Sequence, residues 1–388
     1  MTSPPLLLQY LPPLPSATTY RQRLKPPRRA HDSVSGAGRT SPPNVIGCCG
    51  TKSGRRGSSS DDYHATLKAL NSRGRFPRKS LGQHYMLNSE INEQLANAAD
   101  VGEGDVVLEI GPGTGSLTNV LIDAGAIVLA IEKDPHMAAL VNERFAGTDR
   151  LKVLNEDFVK CHIRSHMMPL INSIKPLGRN SRYAKANGIF KDSEFTALLT
   201  KRASIEVVSN IPFNISKDVV KQLLPLGDIF SEVVLLLQEE TALRLVESSL
   251  RTSEYRPINI FVNFYSGPSL GTCLSFRIAT STSNDPEFKF KVPRTCFFPR
   301  PNVDAAVVTF KLKQPQDYPS VSSTKSFFSM IASAFNGKRK MLRKTLQHIC
   351  TSSEIEEALG NIGLPATSRP EELTLDDFVR LHNVMMDI

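Results

Sequence analysis

The chain has 388 residues, 40% of them hydrophobic, which is too long for one ordinary domain and ample for a packed core. No apolar run approaches the ~18 residues of a membrane-crossing helix; the longest, such as Val233–Leu237, suit a buried strand, and no membrane partner is expected. The formal net charge is +9, but residues 1–60 hold nine Lys or Arg against one acid, Asp32, so the remainder is close to neutral and any nucleic-acid surface must be a local patch.

Residues 1–60 are rich in Pro, Ser, Thr and Arg and almost free of acid. That is the composition of an organelle transit peptide. The Ser/Pro-rich opening, without an Arg-rich amphipathic helix, favours a plastid, and hence the stroma, over a mitochondrion. The six cysteines show no C-x-x-C, so free thiols and no metal are expected.

Residues 90–99 carry a helical pattern. Val106–Ile110 is a short apolar strand ended by Gly111-Pro112-Gly113-Thr114-Gly115. A helix from about Ser116 to Asp123 follows, with Leu117, Val120 and Leu121 on one face. Ile127–Ile131 is a second strand, closed by Glu132. Leu151–Leu154 is a third, followed by Glu156-Asp157, and Ile205–Ser209 and Val233–Leu237 are a fourth and fifth. Near-continuous apolar strands alternating with helices predict a parallel sheet covered on both faces. The predicted class is α/β, with a Rossmann-like domain over residues 61–319. From about Ser320 the pattern changes: Phe327, Phe328, Ile331 and Phe335 recur at helical spacing, Asn336-Gly337 breaks the helix, and Ser353-x-x-Glu356 and Thr374-x-x-Asp377 read as capping boxes. A small all-helical domain over 320–388 is predicted.

The glycine loop lies between a strand and a helix, where a close backbone and free N–H groups can meet a ligand. Ser116 stands where the dinucleotide pattern requires a sixth-position glycine, and no Gly-Lys-Ser/Thr marks a phosphate loop. Glu109-Ile-Gly-Pro-Gly-Thr-Gly resembles motif I of S-adenosylmethionine methyltransferases, whose ligand has no phosphate. Glu132, 21 residues after Gly111, can accept from both ribose hydroxyls, and Asp157 from the adenine amine. After the fourth strand comes Ser209-Asn210-Ile211-Pro212-Phe213-Asn214. An exocyclic adenine amine is a poor nucleophile because its lone pair is delocalised into the ring. An amide oxygen and a backbone carbonyl that accept both its hydrogens favour a pyramidal nitrogen, and an aromatic face holds the flipped base. Asn210 and Phe213 supply these parts within four residues.

Arg78-Lys-Ser-Leu-Gly-Gln-His-Tyr-Met-Leu-Asn, the motif I loop, Asn210-Ile-Pro-Phe-Asn-Ile-Ser, Val292-Pro-Arg-Thr-Cys-Phe-Phe-Pro-Arg-Pro-Asn-Val-Asp and Ala334-Phe-Asn-Gly-Lys-Arg-Lys-Met-Leu-Arg occur in that order. Together they resemble the small-subunit rRNA adenine N6,N6-dimethyltransferase family, most closely its plastid branch, from about Phe76 to the C-terminus. The resemblance implies that His84 and Met86 flank the cofactor, with Gly111, Gly113, Glu132, Asp157 and Asn210 as further contacts, and that Phe213 and Phe297 stack on the target base. It implies as substrate two adjacent adenosines near the 3′ end of small-subunit rRNA within a pre-ribosomal particle, each methylated twice by a monomeric enzyme. Position 213 is Phe where many relatives have Tyr, so the stacking face survives and a hydroxyl contact does not. Residues 161–204 and 269–284 are longer than the family needs and read as insertions or as gene-model artefacts.

Two basic clusters would meet RNA phosphates. Lys68, Arg73, Arg75, Arg78 and Lys79 precede the cofactor entrance, and Lys338, Arg339, Lys340, Arg343 and Lys344 follow the Asn-Gly break. A ribosome-assembly factor or an organelle transcription factor on the same fold is the alternative outside enzymes. A DNA adenine methyltransferase is the alternative within them, though it would more often carry Asp-Pro-Pro-Tyr.

Overall fold

The computed structural model describes residues 77–174, 205–246, 250, 255–267, 286–337 and 340–387. The proposed transit peptide 1–60, Arg75, Lys338, Arg339, residues 175–204 and the whole of 269–284 lie outside the described residues.

The chain enters through a two-residue strand, β1 (Tyr85–Met86). Asn88 caps α1 (Ser89–Ala98) by accepting the Glu90 N–H at 2.9 Å. Then come β2 (Val106–Ile110), α2 (Ser116–Asp123), β3 (Ile127–Ile131), α3 (Pro135–Arg144), β4 (Leu151–Leu154) and α4 (Ile163–Ile174). After residues 175–204 follow β5 (Ile205–Asn210), α5 (Ser216–Leu223), β6 (Glu232–Gln238), α6 (Glu239–Val246) and α7 (Pro257–Tyr265). The last strands are β7 (Glu287–Val292), β8 (Phe297–Phe298) and β9 (Ala305–Lys311).

Seven strands form one sheet in the order β4-β3-β2-β5-β6-β9-β7. The five predicted strands are all present and pair in parallel, as the alternating pattern requires. The sheet is nevertheless mixed: β9 runs antiparallel to β6, and β7 antiparallel to β9. These two strands were not predicted. Ala-Ala-Val-Val-Thr-Phe-Lys of β9 is buried except at its last residue, the mark of a strand covered on both faces. β7 alternates polar and apolar residues around a register shift between Phe288 and Phe290, as an edge strand does.

The topology fixes where a ligand can sit. From β2 the chain runs outward through β3 and β4, then returns to lay β5 on the other side of β2. A sheet whose order reverses in this way opens a crevice beyond the carboxyl ends of the two strands at the reversal. Here β2 and β5 pair only from Val106↔Ile205 to Leu108↔Val207. Beyond that the strands part, and the Ile110 N–H donates to Ser209 Oγ at 2.8 Å instead of to a backbone carbonyl.

The C-terminal segment is helical, as predicted: α8 (Thr324–Ala334), α9 (Leu342–Thr345), α10 (Ser352–Asn361) and α11 (Leu375–Met386). Thr374 and Asp377 form the expected capping box. The other box is Thr351 with Glu354, not Ser353 with Glu356, because Glu356 instead accepts from the Arg343 guanidinium at 2.7 Å. Phe327 and Phe328 of α8 pack on Phe264 of α7 with ring centroids 5.4 and 5.1 Å away, and the Tyr255 hydroxyl donates to Leu373 O. One apolar cluster therefore runs from the sheet into the helices.

Candidate active site

The loop after β2 bends through three left-handed glycines, Gly111 (φ 69°), Gly113 (φ 56°) and Gly115 (φ 81°). At Gly113 the requirement is also spatial, since a Cβ there would lie 2.9 Å from the Tyr85 ring. The Gly113 N–H donates to Glu132 Oε2 at 3.3 Å, and the Asp134 N–H to Oε1 at 2.8 Å. Both carboxylate oxygens are thus held by backbone, which fixes the side chain at the end of β3. Burial holds the Glu132 carboxyl above its ordinary range, against the pull of the Asp134 and Gly113 N–H donors. Beneath it Glu109 of β2 is buried and accepts from the Thr118 hydroxyl at 2.7 Å. Its carboxyl is pushed up to about 8, mainly by burial and further by the Glu132 charge, with the Thr118 contact opposing.

Asp157 follows β4. Its Oδ1 accepts the Val159 N–H at 3.2 Å, and its Oδ2 pairs with Lys133 Nζ at 2.9 Å. The Lys133 contact is the main reason the carboxyl titrates below the usual range. Sequence reasoning missed Lys133. Its position directly after Glu132, on the strand next to β4, was the available signal.

Asn210 ends β5 and pairs in register with Leu236 of β6. Pro212 then turns the chain into a single 3-10 turn, Phe213–Ile215. His84 lies against Phe213 with centroids 5.6 Å apart and planes 30° apart, while His84 Nδ1–H donates to Pro299 O at 2.6 Å. Phe297 meets Phe213 edge-on at 6.4 Å and is only 3% exposed. β1 and β8 pair antiparallel, Met86 opposite Phe297, so two segments more than 200 residues apart reach Phe213 as one unit. The sequence reading placed His84 beside the cofactor. Its ring lies on Phe213 and also lines the cleft.

One cleft of about 1040 Å³, its open mouth included, is lined by His84, Met86, Gly111, Gly113, Glu132, Asp157, Asn210 and Phe213 among others. Phe297 is not in its wall; it packs behind Phe213. Gln83 and Arg78 bind the incoming strap to Asp134, with contacts of 3.5 and 3.9 Å to its Oδ2.

Of the predicted RNA contacts, Arg78, Lys340 and Lys344 are exposed, and Arg343 is committed to Glu356. Lys79 lies in a 3-10 turn, Lys79–Leu81, its side chain outside the described residues. Among the described residues one group could offer three metal ligands: Glu156, Cys161 and His166, with ligating atoms within 4.8 Å of one another. Glu156 already takes part in hydrogen bonds with both, to His166 Nε2 at 3.1 Å and to the Cys161 thiol, which burial and that contact push up to about 12. Cys161 and Cys350 are free thiols. Cys296 is disulfide-bonded, against the expectation of free thiols.

The model of the ribosomal RNA adenine dimethylase family matches residues 75–267 and 275–387. The chain is 67% identical over 328 residues, 84% of each protein, to the chloroplastic ribosomal RNA small subunit methyltransferase of Arabidopsis thaliana. It is 31% identical over 314 residues to ribosomal RNA small subunit methyltransferase A of Protochlamydia amoebophila, covering 81% of this chain and 93% of that one. Among solved structures, a dimethyladenosine transferase from Plasmodium falciparum has the same fold, with a TM-score of 0.54, 21% identity, and coverage of 76% of this chain and 94% of that one. The 23S rRNA methyltransferase ErmE also shares it, with a TM-score of 0.51, 18% identity, and coverage of 78% and 99%.

Proposed function

Because the chain belongs to the ribosomal RNA adenine dimethylase family, we propose that the crevice between β2 and β5 is where an rRNA adenine receives two methyl groups on N6. The enzyme is an S-adenosylmethionine-dependent rRNA adenine dimethyltransferase. One observation carries the assignment of the site: Asn210, at the end of β5, shares one cleft with the glycine loop at the end of β2, and Phe213 follows three residues later.

The residues present fit the methyl donor. Gly111 and Gly113 bring bare left-handed backbone to the cleft, at Gly113 in a place where a side chain would clash with Tyr85, and Glu132 is fixed with its carboxylate at the strand end. Gly111, Gly113, Glu132, Asp157 and Met86 would hold S-adenosylmethionine, Glu132 at the ribose and Asp157 at the adenine. When bound, the donor supplies an electrophilic methyl on a sulfonium. Asn210 accepts from the target amine through its amide oxygen, a neighbouring backbone carbonyl accepts the second hydrogen while N6 still carries two, and the nitrogen lone pair is turned toward the methyl; the nitrogen sheds a proton to solvent once it has become cationic. Phe213 holds the flipped base by its cleft-facing side, and His84 and Phe297 hold Phe213. Catalysis is then chiefly orientation of two reactants.

The substrate is two adjacent adenosines near the 3′ end of plastid 16S rRNA, met within a pre-ribosomal particle in the stroma by a monomer. Residues 1–60 deliver the chain there, residues 61–319 carry the chemistry, and residues 320–388 grip RNA. The test is tritiated methyl transfer to unmethylated small ribosomal subunits. Asn210→Ala should fold, bind RNA and lose on the order of 10²–10³ in rate, as when one preorganised hydrogen-bonding group is removed. Full activity in that variant would overturn the assignment.

A further inference from the structure

One buried polar side chain in the cleft wall has no role in the scheme above. Asn92, on α1, is 1% exposed and lines the cleft together with Met86, Glu109 and Leu117. Its Oδ1 is buried and accepts no hydrogen bond among the described residues. A buried amide left in that state is costly, and an apolar residue of similar shape would serve a plain wall better. Its helix neighbours Ile91 and Leu95 are of that kind, and both are fully buried.

The strand order says which part of a ligand Asn92 would meet. Asp157 follows β4, Glu132 ends β3, the glycine loop follows β2 and Asn210 ends β5, so the cleft runs from a nucleoside end at β4 and β3 to a far end at β2 and β5. α1 packs on α2, β5 and β6, at the far end. We propose that Asn92 recognises the amino-acid end of the methyl donor, its amide accepting from the α-ammonium or, after a half-turn, donating to the α-carboxylate. The inference rests on the reading of this cleft as the S-adenosylmethionine site.

The test is calorimetry on the full chain with two probes. S-adenosylhomocysteine carries the amino-acid end; 5′-methylthioadenosine keeps the adenosine and the thioether and lacks that end. Asn92→Leu should weaken the first about tenfold or more, the scale of one hydrogen bond to a charged group. The second should change by less than about twofold. The same substitution should leave the ligand-free melting temperature equal or higher, because it removes a buried amide oxygen that has no donor. A purely structural asparagine predicts the reverse, a lower melting temperature and equal losses for both probes, and that result overturns the proposal. So does unchanged affinity for S-adenosylhomocysteine. If leucine is not accommodated, Asn92→Ala with the same two probes decides by the same ratio. Glu132→Ala separates the two levels of the argument: it should weaken both probes, and if it weakens neither, the donor reading of the cleft fails and the proposal fails with it.

Discussion

At the scale of single residues, the site is governed by carboxylates taken out of water. Glu109 is the extreme case, with its carboxyl pushed up to about 8 from an ordinary 4.5 by burial in β2. The unfolded chain loses this proton near pH 4.5, whereas the folded protein keeps it until about pH 8. Between those values the native state binds more protons, so this group makes stability fall as pH rises. Glu109→Gln keeps an acceptor for the Thr118 hydroxyl and removes the ionisation. It should match the parent near pH 5 and be more stable at pH 8 and above, on the order of a few kcal/mol. Thermal melts of the ligand-free protein from pH 5 to 9 check this, and parallel profiles for the two proteins would refute it. Glu132 and Asp157 were legible in the sequence because each stands just beyond an apolar strand, where a parallel sheet presents its ligand-facing groups. Lys133 on Asp157 and His84 on Phe213 were not, since each contact joins segments that only the fold brings together.

At the scale of elements, the crevice exists because β2 and β5 stop pairing before they end. Ser209 Oγ takes the Ile110 N–H that the ladder leaves over. Ser209→Ala strands that buried donor, and about 1–3 kcal/mol of stability should be lost, the usual cost of an unsatisfied buried group. Methyl transfer should fall with it, because the same bond sets the spacing between the glycine loop and Asn210. Denaturant melts and transfer rates measured together test this; a variant of parental stability and rate would show that the strands are spaced by other contacts. The five parallel strands could be read from their continuous apolar runs. β9 carries an equally clear run, Ala-Ala-Val-Val-Thr-Phe-Lys, and β7 a clear alternation. Neither was read as a strand from the sequence, and their direction could not have been, since a buried antiparallel strand among parallel ones has the same apolar composition. The Thr351–Glu354 box shows a related limit: two overlapping capping patterns compete, and the tertiary partner of Glu356, Arg343, decides between them.

At the scale of the whole molecule, the helical segment shares its core with the sheet through Phe264, Phe327 and Phe328, so an RNA held by the helices is held relative to the cleft. The sequence offered Lys340, Arg343 and Lys344 as equivalent phosphate ligands, and the structure separates them. Lys340 and Lys344 are exposed, whereas Arg343 is bound to Glu356 between α9 and α10. Reversing the charge of Lys340 and Lys344 together should therefore weaken RNA binding and flatten its salt dependence by about one to two units in the slope of log K against log salt, one counterion-releasing contact for each residue. Affinity for S-adenosylhomocysteine should not change, because neither residue lines the cleft. Arg343→Ala should behave differently. It leaves Glu356 without its cation and loosens the α9–α10 contact, so the melting temperature should fall while the salt slope changes by less than half a unit. Filter binding of a small-subunit rRNA hairpin across a salt series, with melts on the same preparations, separates the two. An undiminished slope in the double reversal would remove these lysines from the RNA interface, and a full unit lost in Arg343→Ala would return Arg343 to it.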